Sequence, residues 1–311
     1  MEYVWLVVGF ILLIKGADYF VDGSSSIAKK LKVPSLIIGM TIVAMGTSLP
    51  ECSVSISAAL AGKNGLAISN AVGSNIFNLM VVCGFCTLFC PLKVDKKTLK
   101  KEFPFSVLVA IILLILGGIG MILGRVDGII LMVIFAGFLY SMVNSAKKAR
   151  AAGENTEEEE YKILPVSKCI LFIIGGIAAI VLGGNLVVDS ASTIAANFGM
   201  SDTLIGLTVV AFGTSLPELV TSAVAAKKNE VDMALGNVIG SNIFNILLVL
   251  GVSAAISPVV FAMENIIDII VLVVMSIIVL FFAWSKQKIV RSEGIIMLVM
   301  YAAYMVYICM R

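Results

Sequence analysis

Two glutamates occupy matched settings far apart in the chain. Glu51 closes the run GTSLPE at 46–51, and Glu218 closes the same six residues at 213–218. Each lies inside a long apolar segment, where an ionisable group is costly and marks a functional position by default. Lys15 is the one basic residue well inside any such segment, and it could neutralise one carboxylate but not two. The neighbours add oxygen. Ala44, Thr47, Ser48, Glu51 and Ser55 recur at i, i+3, i+4, i+7 and i+11, which places them on one helical face. Ala211, Thr214, Ser215, Glu218 and Ser222 repeat that face. Pro50 and Pro217 lack an amide hydrogen and clash with the carbonyls of Gly46 and Gly213, so each helix should kink or break there. Carbonyls freed near Ala44, Thr47, Ala211 and Thr214 are then candidate ligands. Irregular backbone at membrane depth is tolerated only where it faces protein or a polar cavity.

A second pair of polar stripes follows. Asn70, Ser74 and Asn78 are spaced by four, as are Asn237, Ser241 and Asn245. Helix packing is the expected role of Asn70, Asn75, Asn237 and Asn242, with Gly73 and Gly240 beside them. Ser74, Asn78, Ser241 and Asn245 are expected to face the site. Two carboxylates among hydroxyl, amide and carbonyl oxygens make a hard-ligand set suited to Ca²⁺ and Na⁺. Histidine is absent, and Cys52 points about 100° around the helix from Glu51, which leaves no soft set for zinc or copper. Two negative charges balance one Ca²⁺, or most of the charge of two or three Na⁺. A site that holds either load but not both gives exchange. The same glutamates can be protonated, so coupling to H⁺ stays open.

Composition sets the medium in which this chemistry sits. Of 311 residues, 60% are hydrophobic and 14% charged, with a mean hydropathy of +1.08. Soluble domains are less apolar and nearly twice as charged, so a water-soluble enzyme is excluded. Nucleic acid is not an expected partner, because the basic residues sit in short loops. Ten apolar runs are long enough to cross a bilayer, at 3–28, 35–61, 66–90, 104–123, 128–146, 168–195, 203–226, 233–256, 265–284 and 293–310. The N-terminus lacks the basic start and small-residue cleavage site of a signal peptide and reads as the first span. The stretch 147–167, with its acidic run Glu157 to Glu160, reads as a solvated linker, since it lacks the glycine and alternating oxygens of an EF-hand loop. The six cysteines lie in apolar segments; Cys83, Cys86 and Cys90 share a helical face and read as small hydrophobes.

Basic residues orient the spans. Eighteen of the 22 fall on one side, in the loops around Lys29, Lys96, Lys148, Lys228 and Lys288; Lys63, Arg125 and Arg311 fall on the other. The crowded side is cytoplasmic by the positive-inside rule, which makes both termini extracytoplasmic.

The two halves are duplicates. GMTIVAMGTSLPE at 39–51 matches GLTVVAFGTSLPE at 206–218 in ten of thirteen positions, at an offset of 167. NAVGSNIFN at 70–78 matches NVIGSNIFN at 237–245 at the same offset, and DGIILMV at 127–133 resembles EGIIMLV at 293–299 with a one-residue slip. Five spans per half is an odd number, so the second half must enter the membrane from the opposite side. The fold class is therefore an all-α membrane protein of ten transmembrane helices in two inverted five-helix repeats, 1–146 and 168–311, an architecture typical of secondary transporters. Spans one and six carry few site-type residues and are expected to slide as a gate against spans two, three, seven and eight. Asp18 and Asp22, in span one, read as a cavity mouth or a helix-end feature.

With GTSLPE at 46–51 and 213–218, and GSNIFN at 73–78 and 240–245, the chain resembles the sodium/calcium exchanger branch of the cation/calcium antiporter superfamily over essentially its full length. The resemblance implies an antiporter in the plasma or inner membrane that carries Ca²⁺ and Na⁺, uses no organic cofactor and works as a monomer. It implies Ca²⁺ ligation by Glu51 and Glu218 with backbone oxygens of Thr47 and Thr214. It implies Na⁺ sites from Ala44, Ser48, Ala211 and Ser215 with Ser74 and Ser241, and a central position lined by Asn78 and Asn245. Potassium-dependent relatives carry Asp where this chain has Asn245, so K⁺ independence is expected. The competing classes are an H⁺-coupled or K⁺-dependent antiporter, a cation channel, and a membrane enzyme or pump. The last lacks support, because neither G-x-x-x-x-G-K-[ST] nor H-E-x-x-H occurs, which leaves no motif for ATP.

Overall fold

Backbone amides in hydrocarbon have no water to bond, so apolar runs of this length close their hydrogen bonds internally as helices. A computed structural model describes residues 1–152, 164–199 and 211–310. The helices are α1 (Glu2–Leu31), α2 (Ser35–Thr47), α3 (Leu49–Leu60), α4 (Gly65–Phe89), α5 (Phe103–Gly118), α6 (Arg125–Ala152), α7 (Val166–Asn197), α8 (Ala211–Thr214), α9 (Leu216–Lys227), α10 (Val231–Ile256), α11 (Met263–Lys286) and α12 (Arg291–Met310). Among the described residues, four two-residue strands, β1 (Leu92–Lys93), β2 (Ile122–Leu123), β3 (Val259–Val260) and β4 (Lys288–Ile289), lie in the connections.

Among the described residues, seven helices are long and apolar enough to cross a membrane, and the α2–α3 pair, bent by 51°, makes an eighth. The protein is thus a multi-pass membrane protein. The expected span 104–123 forms the 16-residue α5, which ends before Ile119 turns extended. For the expected span 203–226, residues 203–210 lie outside the described residues, as do 153–163 of the linker with its acidic run.

The helices assemble into two compact units. One comprises Met1–Pro50 and Met142–Asn237, the other Glu51–Ser141 and Val238–Arg311. In the first, α1 and α7 lie against each other through glycines. A Cβ on Gly16 would lie 3.0 Å from the Gly176 carbonyl, and one on Gly9 would lie 2.9 Å from that of Gly183. Only hydrogen fits at such an approach. The repeat offset of 167 converts Gly9 into Gly176 and Gly16 into Gly183, so the two contacts are one contact made twice. At one end of this unit the Lys228 ammonium reaches Asp18 at 2.6 Å and Asp22 at 2.7 Å. Lys29 lies 3.7 Å from Glu230, which also accepts the Ser25 hydroxyl. The Leu164 amide lies 3.5 Å from Ser26 Oγ. The connections near 29, 164 and 228 therefore share an end, as the alternation of basic loops requires. Partial burial lowers the Lys228 ammonium, but its bonds to Asp18 and Asp22 outweigh this and hold it above the ordinary lysine value.

The second unit repeats the same logic. β1 pairs antiparallel with β4, and β2 with β3. Shifting β1 by 167 gives β3, and shifting β2 by 166 gives β4, so the one-residue slip read from the sequence reappears as strand register. The glycine contacts correspond too. A Cβ on Gly84 would lie 3.0 Å from the Gly294 carbonyl, and one on Gly251 would lie 3.1 Å from that of Gly128.

Two outcomes follow for thermal unfolding in detergent. Gly16→Leu should lower the midpoint by several degrees, an overpacking cost of about 1–3 kcal/mol. Gly175→Leu, with nothing within 4 Å of its Cβ position, should leave it unchanged. Equal midpoints in the two variants would contradict the close α1–α7 contact. Lys228→Met should cost about 1–2 kcal/mol, short of a fully buried pair because the Asp18 side chain is 39% exposed. Adding Asp18→Asn and Asp22→Asn should restore most of that loss, and an unchanged midpoint in Lys228→Met alone would show the ion pairs to be idle.

Candidate functional site

Both glutamates sit just past a break that their prolines impose. α2 stops at Thr47, Ser48 leaves the helical region at φ −84°, ψ 13°, and α3 begins at Leu49. The second copy does the same: α8 ends at Thr214, Ser215 adopts φ −95°, ψ 5°, and α9 begins at Leu216 with Pro217 in its first turn. Proline suits that position, because first-turn amides have no intrahelical acceptor. Glu51 and Glu218 therefore fall in the first turn of their helices. There the helix dipole and unpaired amides favour negative charge.

In the first unit Glu218 is fully buried. Its Oε1 accepts the Ser48 hydroxyl at 2.7 Å, while its Oε2 has no hydrogen-bond partner. No ion pair reaches Glu218 among the described residues. Thr47 Oγ1 has three acceptors in reach for its single proton: the carbonyls of Val43 and Ala44, at 3.2 and 3.4 Å, and Asn237 Oδ1 at 3.1 Å. Asn237 Nδ2 donates in turn to Ser222 Oγ at 2.9 Å. The Ala44 carbonyl is not freed as the sequence suggested, since it accepts the Ser48 amide at 3.1 Å; one lone pair is left for another donor or a cation. Ser215 is fully buried and Thr214 nearly so. Ala211 opens α8, and only its backbone is described.

In the second unit Glu51 is also fully buried. Its Oε1 lies 3.5 Å from the Ser74 hydroxyl, at the outer limit of a hydrogen bond. Asn70 Nδ2 spans the Glu51 carbonyl at 3.2 Å and Ser55 Oγ at 2.9 Å, the counterpart of Asn237 on Ser222. Asn75 and Asn242 each donate to the other's carbonyl, at 3.1 and 3.3 Å. The four asparagines expected to serve packing are thus tied between helices. Asn78 and Asn245 begin wider π-helical turns, Asn78–Val82 and Asn245–Leu250, a distortion common at functional sites. Both asparagines are fully buried. Asn78 has no hydrogen-bond partner on either amide atom; Asn245 donates to Asn75 Oδ1 at 3.1 Å and leaves its own oxygen without one. Ser241 is fully buried in the same stripe.

Lys15 lies on the exposed face of α1 and makes no ion pair among the described residues, so it is not the partner of either glutamate. Asp18 and Asp22 form the helix-end ion pairs with Lys228. The placement of Lys228 in a loop on the basic side was legible in the sequence; its pairing with Asp18 and Asp22 was not. The role of Asn75 as the anchor of Asn245, and the π turns, carry no signal in residue type or spacing. Donors with no protein partner remain oxygens for the most part, and no cluster of three His, Cys, Asp or Glu side chains occurs among the described residues. The buried set suits hard, weakly polarisable cations rather than transition metals.

The comparisons with known proteins point the same way. The family model for sodium/calcium exchanger proteins matches residues 1–144 and 168–310. A putative antiporter, CaxA of Alkalimonas amylolytica, is 44% identical over 82% of this chain and 81% of its own length. The sodium/calcium exchanger MaX1 of Methanosarcina acetivorans is 32% identical over 98% of each chain. A solved structure of the sodium-calcium exchanger NCX_Mj, soaked with 2.5 mM Na⁺ and 0.1 mM Ca²⁺, superposes with a TM-score of 0.86 at 35% identity, over 98% of this chain and 97% of that one. With its duplicated acidic motifs and full-length match in sequence and fold, the chain belongs to the sodium/calcium exchanger family.

Proposed function

We propose that the protein is a secondary antiporter that exchanges Ca²⁺ for Na⁺ across a cell membrane by alternating access. The observation that carries this reading is Glu218, buried in a helix-initial turn, with one carboxylate oxygen on Ser48 and the other without a partner. A buried carboxylate with spare lone pairs and no lysine or arginine calls for a cation that comes and goes. Glu51 holds the same place in the first copy of the motif and is the second Ca²⁺ ligand, with the backbone oxygens of Thr47 and Thr214. Ser48, Ser215, Ala44, Ala211, Ser74 and Ser241 supply the Na⁺ positions, and Asn78 and Asn245 line the central one.

The chain is read as ten spans in two inverted repeats, 1–146 and 168–311, joined by the cytoplasmic linker 147–167, with both termini extracytoplasmic. The glycine contacts and strand pairs that recur at offsets of 167 or 166 support this arrangement. α1 and α7, joined by one contact made twice, would move as a pair to open each side in turn. If three Na⁺ cross per Ca²⁺, one net charge moves per cycle, and each 100 mV biases exchange by about 2.3 kcal/mol.

The direct test is ⁴⁵Ca²⁺ uptake into Na⁺-loaded liposomes, with Na⁺, H⁺ and K⁺ gradients imposed separately. Uptake should follow the Na⁺ gradient and ignore the other two; uptake that follows pH and ignores Na⁺ defeats the reading. Glu218→Gln should lower Ca²⁺ flux at least 100-fold while leaving a folded protein, because it removes half the charge facing a dication and keeps the shape; a loss of tenfold corresponds to about 1.4 kcal/mol. Normal flux would make Glu218 structural.

Potassium gives a separate outcome. An amide at Asn245 brings an oxygen but no charge, so the two glutamates can balance Ca²⁺ alone; a K⁺ held with it would leave a buried charge uncompensated, which is expensive. Replacing K⁺ by choline should not change uptake in the parent chain, and Asn245→Asp should raise cation affinity and pH sensitivity. Loss of transport in the parent on K⁺ withdrawal would overturn the role given to Asn245.

A further inference from the structure

Basic residues gather in and beside the β1–β4 pair: Lys93, Lys96, Lys97, Lys100 and Lys101 on one side, Lys286, Lys288 and Arg291 on the other. Lys96, Leu99, Lys100, Trp284 and Gln287 line a cavity of about 190 Å³ at that corner of the second unit. The corner is held by backbone bonds: β1 lies on β4, and the Val94 amide donates to the Gln287 carbonyl at 3.0 Å. Gln287 adopts the left-handed conformation, φ 53°, that ends α11 and turns the chain into β4.

Two features of this corner suit an anionic ligand. First, Lys93 sits directly opposite Lys288 in the strand register, and both are exposed. Like charges in that position destabilise a strand pair. Second, neither Lys96 nor Lys100 forms an ion pair among the described residues. The nearby acids also accept backbone amides. Asp95 accepts the Lys96 backbone amide at 2.8 Å, and Glu293 accepts the Val290 amide at 2.9 Å and lies 3.8 Å from Lys286. Glu102 is buried, and that burial pushes its carboxyl above the usual range, which weakens it as a counter-charge.

The remaining wall identifies the partner. Trp284 is 55% exposed on the last turns of α11, and Ile270, Val274, Ile277 and Phe281 are exposed along the same helix. An indole at the end of an exposed apolar helix face marks the boundary between hydrocarbon and headgroups. A free anion would use the lysines but not this apolar wall; a phospholipid uses both.

We propose that the cavity at Lys96, Lys100, Trp284 and Gln287 binds the phosphate of an anionic phospholipid, with its acyl chains along the exposed face of α11. The bound lipid neutralises the facing lysines and fastens β1 to β4. The excess of basic loops on this side assigns the site to the cytoplasmic leaflet, where anionic headgroups and basic juxtamembrane residues attract each other.

The test is thermal unfolding of the purified full-length protein in neutral detergent, in the absence of Ca²⁺, with three additives in parallel. These are phosphatidylglycerol, phosphatidylcholine and inorganic phosphate. Phosphatidylglycerol should raise the midpoint by about 2–4 °C beyond phosphatidylcholine, the size expected of a ligand well above its dissociation constant. Inorganic phosphate should give no such rise. Lys96→Gln with Lys100→Gln should abolish the difference between the two lipids, and Lys96→Arg with Lys100→Arg should keep it. Lys147→Gln with Lys148→Gln, which removes two charges from another basic loop, should also keep it. An undiminished lipid difference in the Lys96→Gln/Lys100→Gln variant overturns the site. A full rise with inorganic phosphate alone overturns the lipid assignment. Because the readout is stability without Ca²⁺, its outcome is independent of whether exchange is driven by Na⁺.

Discussion

Placing a carboxylate in a membrane interior costs roughly 3 kcal/mol or more even where helices can adapt around it. Protein chains usually offset that cost with a lysine or arginine. Here Glu218 has none among the described residues, and Lys15 faces away on α1. What Glu218 has is a first-turn position in α9, the Ser48 hydroxyl at 2.7 Å, and weaker support from its own amide and the Thr47 side chain. Those terms soften the burial without neutralising the charge. The missing positive charge is the physical basis of the proposed transport. A protein cation fixed beside Glu218 would compete with the cargo at every turn of the cycle, whereas a bare carboxylate gives the cargo its binding energy and lets one cation load replace another.

The scaffold around this constraint is built from close backbone approaches rather than large side chains. In hydrocarbon no hydrophobic force draws apolar helices together, so small residues that bring backbones into contact do much of the work. The Gly9–Gly183 and Gly16–Gly176 approaches in one unit, and Gly84–Gly294 and Gly128–Gly251 in the other, follow that rule. The asparagine bonds add direction. Asn70 on Ser55 and Asn237 on Ser222 tie equivalent helix pairs in the two repeats, and the reciprocal Asn75–Asn242 pair fixes the place from which Asn75 holds Asn245. Polar residues thus divide into those spent on holding helices and those, such as Asn78, left with bonding capacity in the interior.

Much of this was legible in the sequence because the governing signals are local. Apolar run length sets where helices lie, the proline at Pro50 or Pro217 sets where they break, and a four-residue spacing sets which polar atoms share a face. That Asn70, Asn75, Asn237 and Asn242 tie helices together also followed from type and spacing. What was hidden depends on tertiary partners or on hydrogen-bond register. A π turn at Asn78 differs from an α turn by one residue of register and has no compositional mark. The Ala44 carbonyl is partly occupied because the chain breaks at Ser48 and not one turn earlier, a detail set by the φ and ψ of one residue. The pairing of Lys228 with Asp18 and Asp22 joins residues more than 200 positions apart, which no periodicity reports.

The central claim is that one set of buried oxygens serves both cations in turn. Equilibrium Ca²⁺ binding to the purified protein, titrated at a series of Na⁺ concentrations with choline holding ionic strength constant, tests it most directly. Competition for shared ligands predicts that the apparent Ca²⁺ dissociation constant rises without limit as Na⁺ increases, and more steeply than in direct proportion because several Na⁺ displace one Ca²⁺. A dissociation constant that levels off at high Na⁺, or does not respond to it, would mean that the two cations occupy separate sites and would contradict the account.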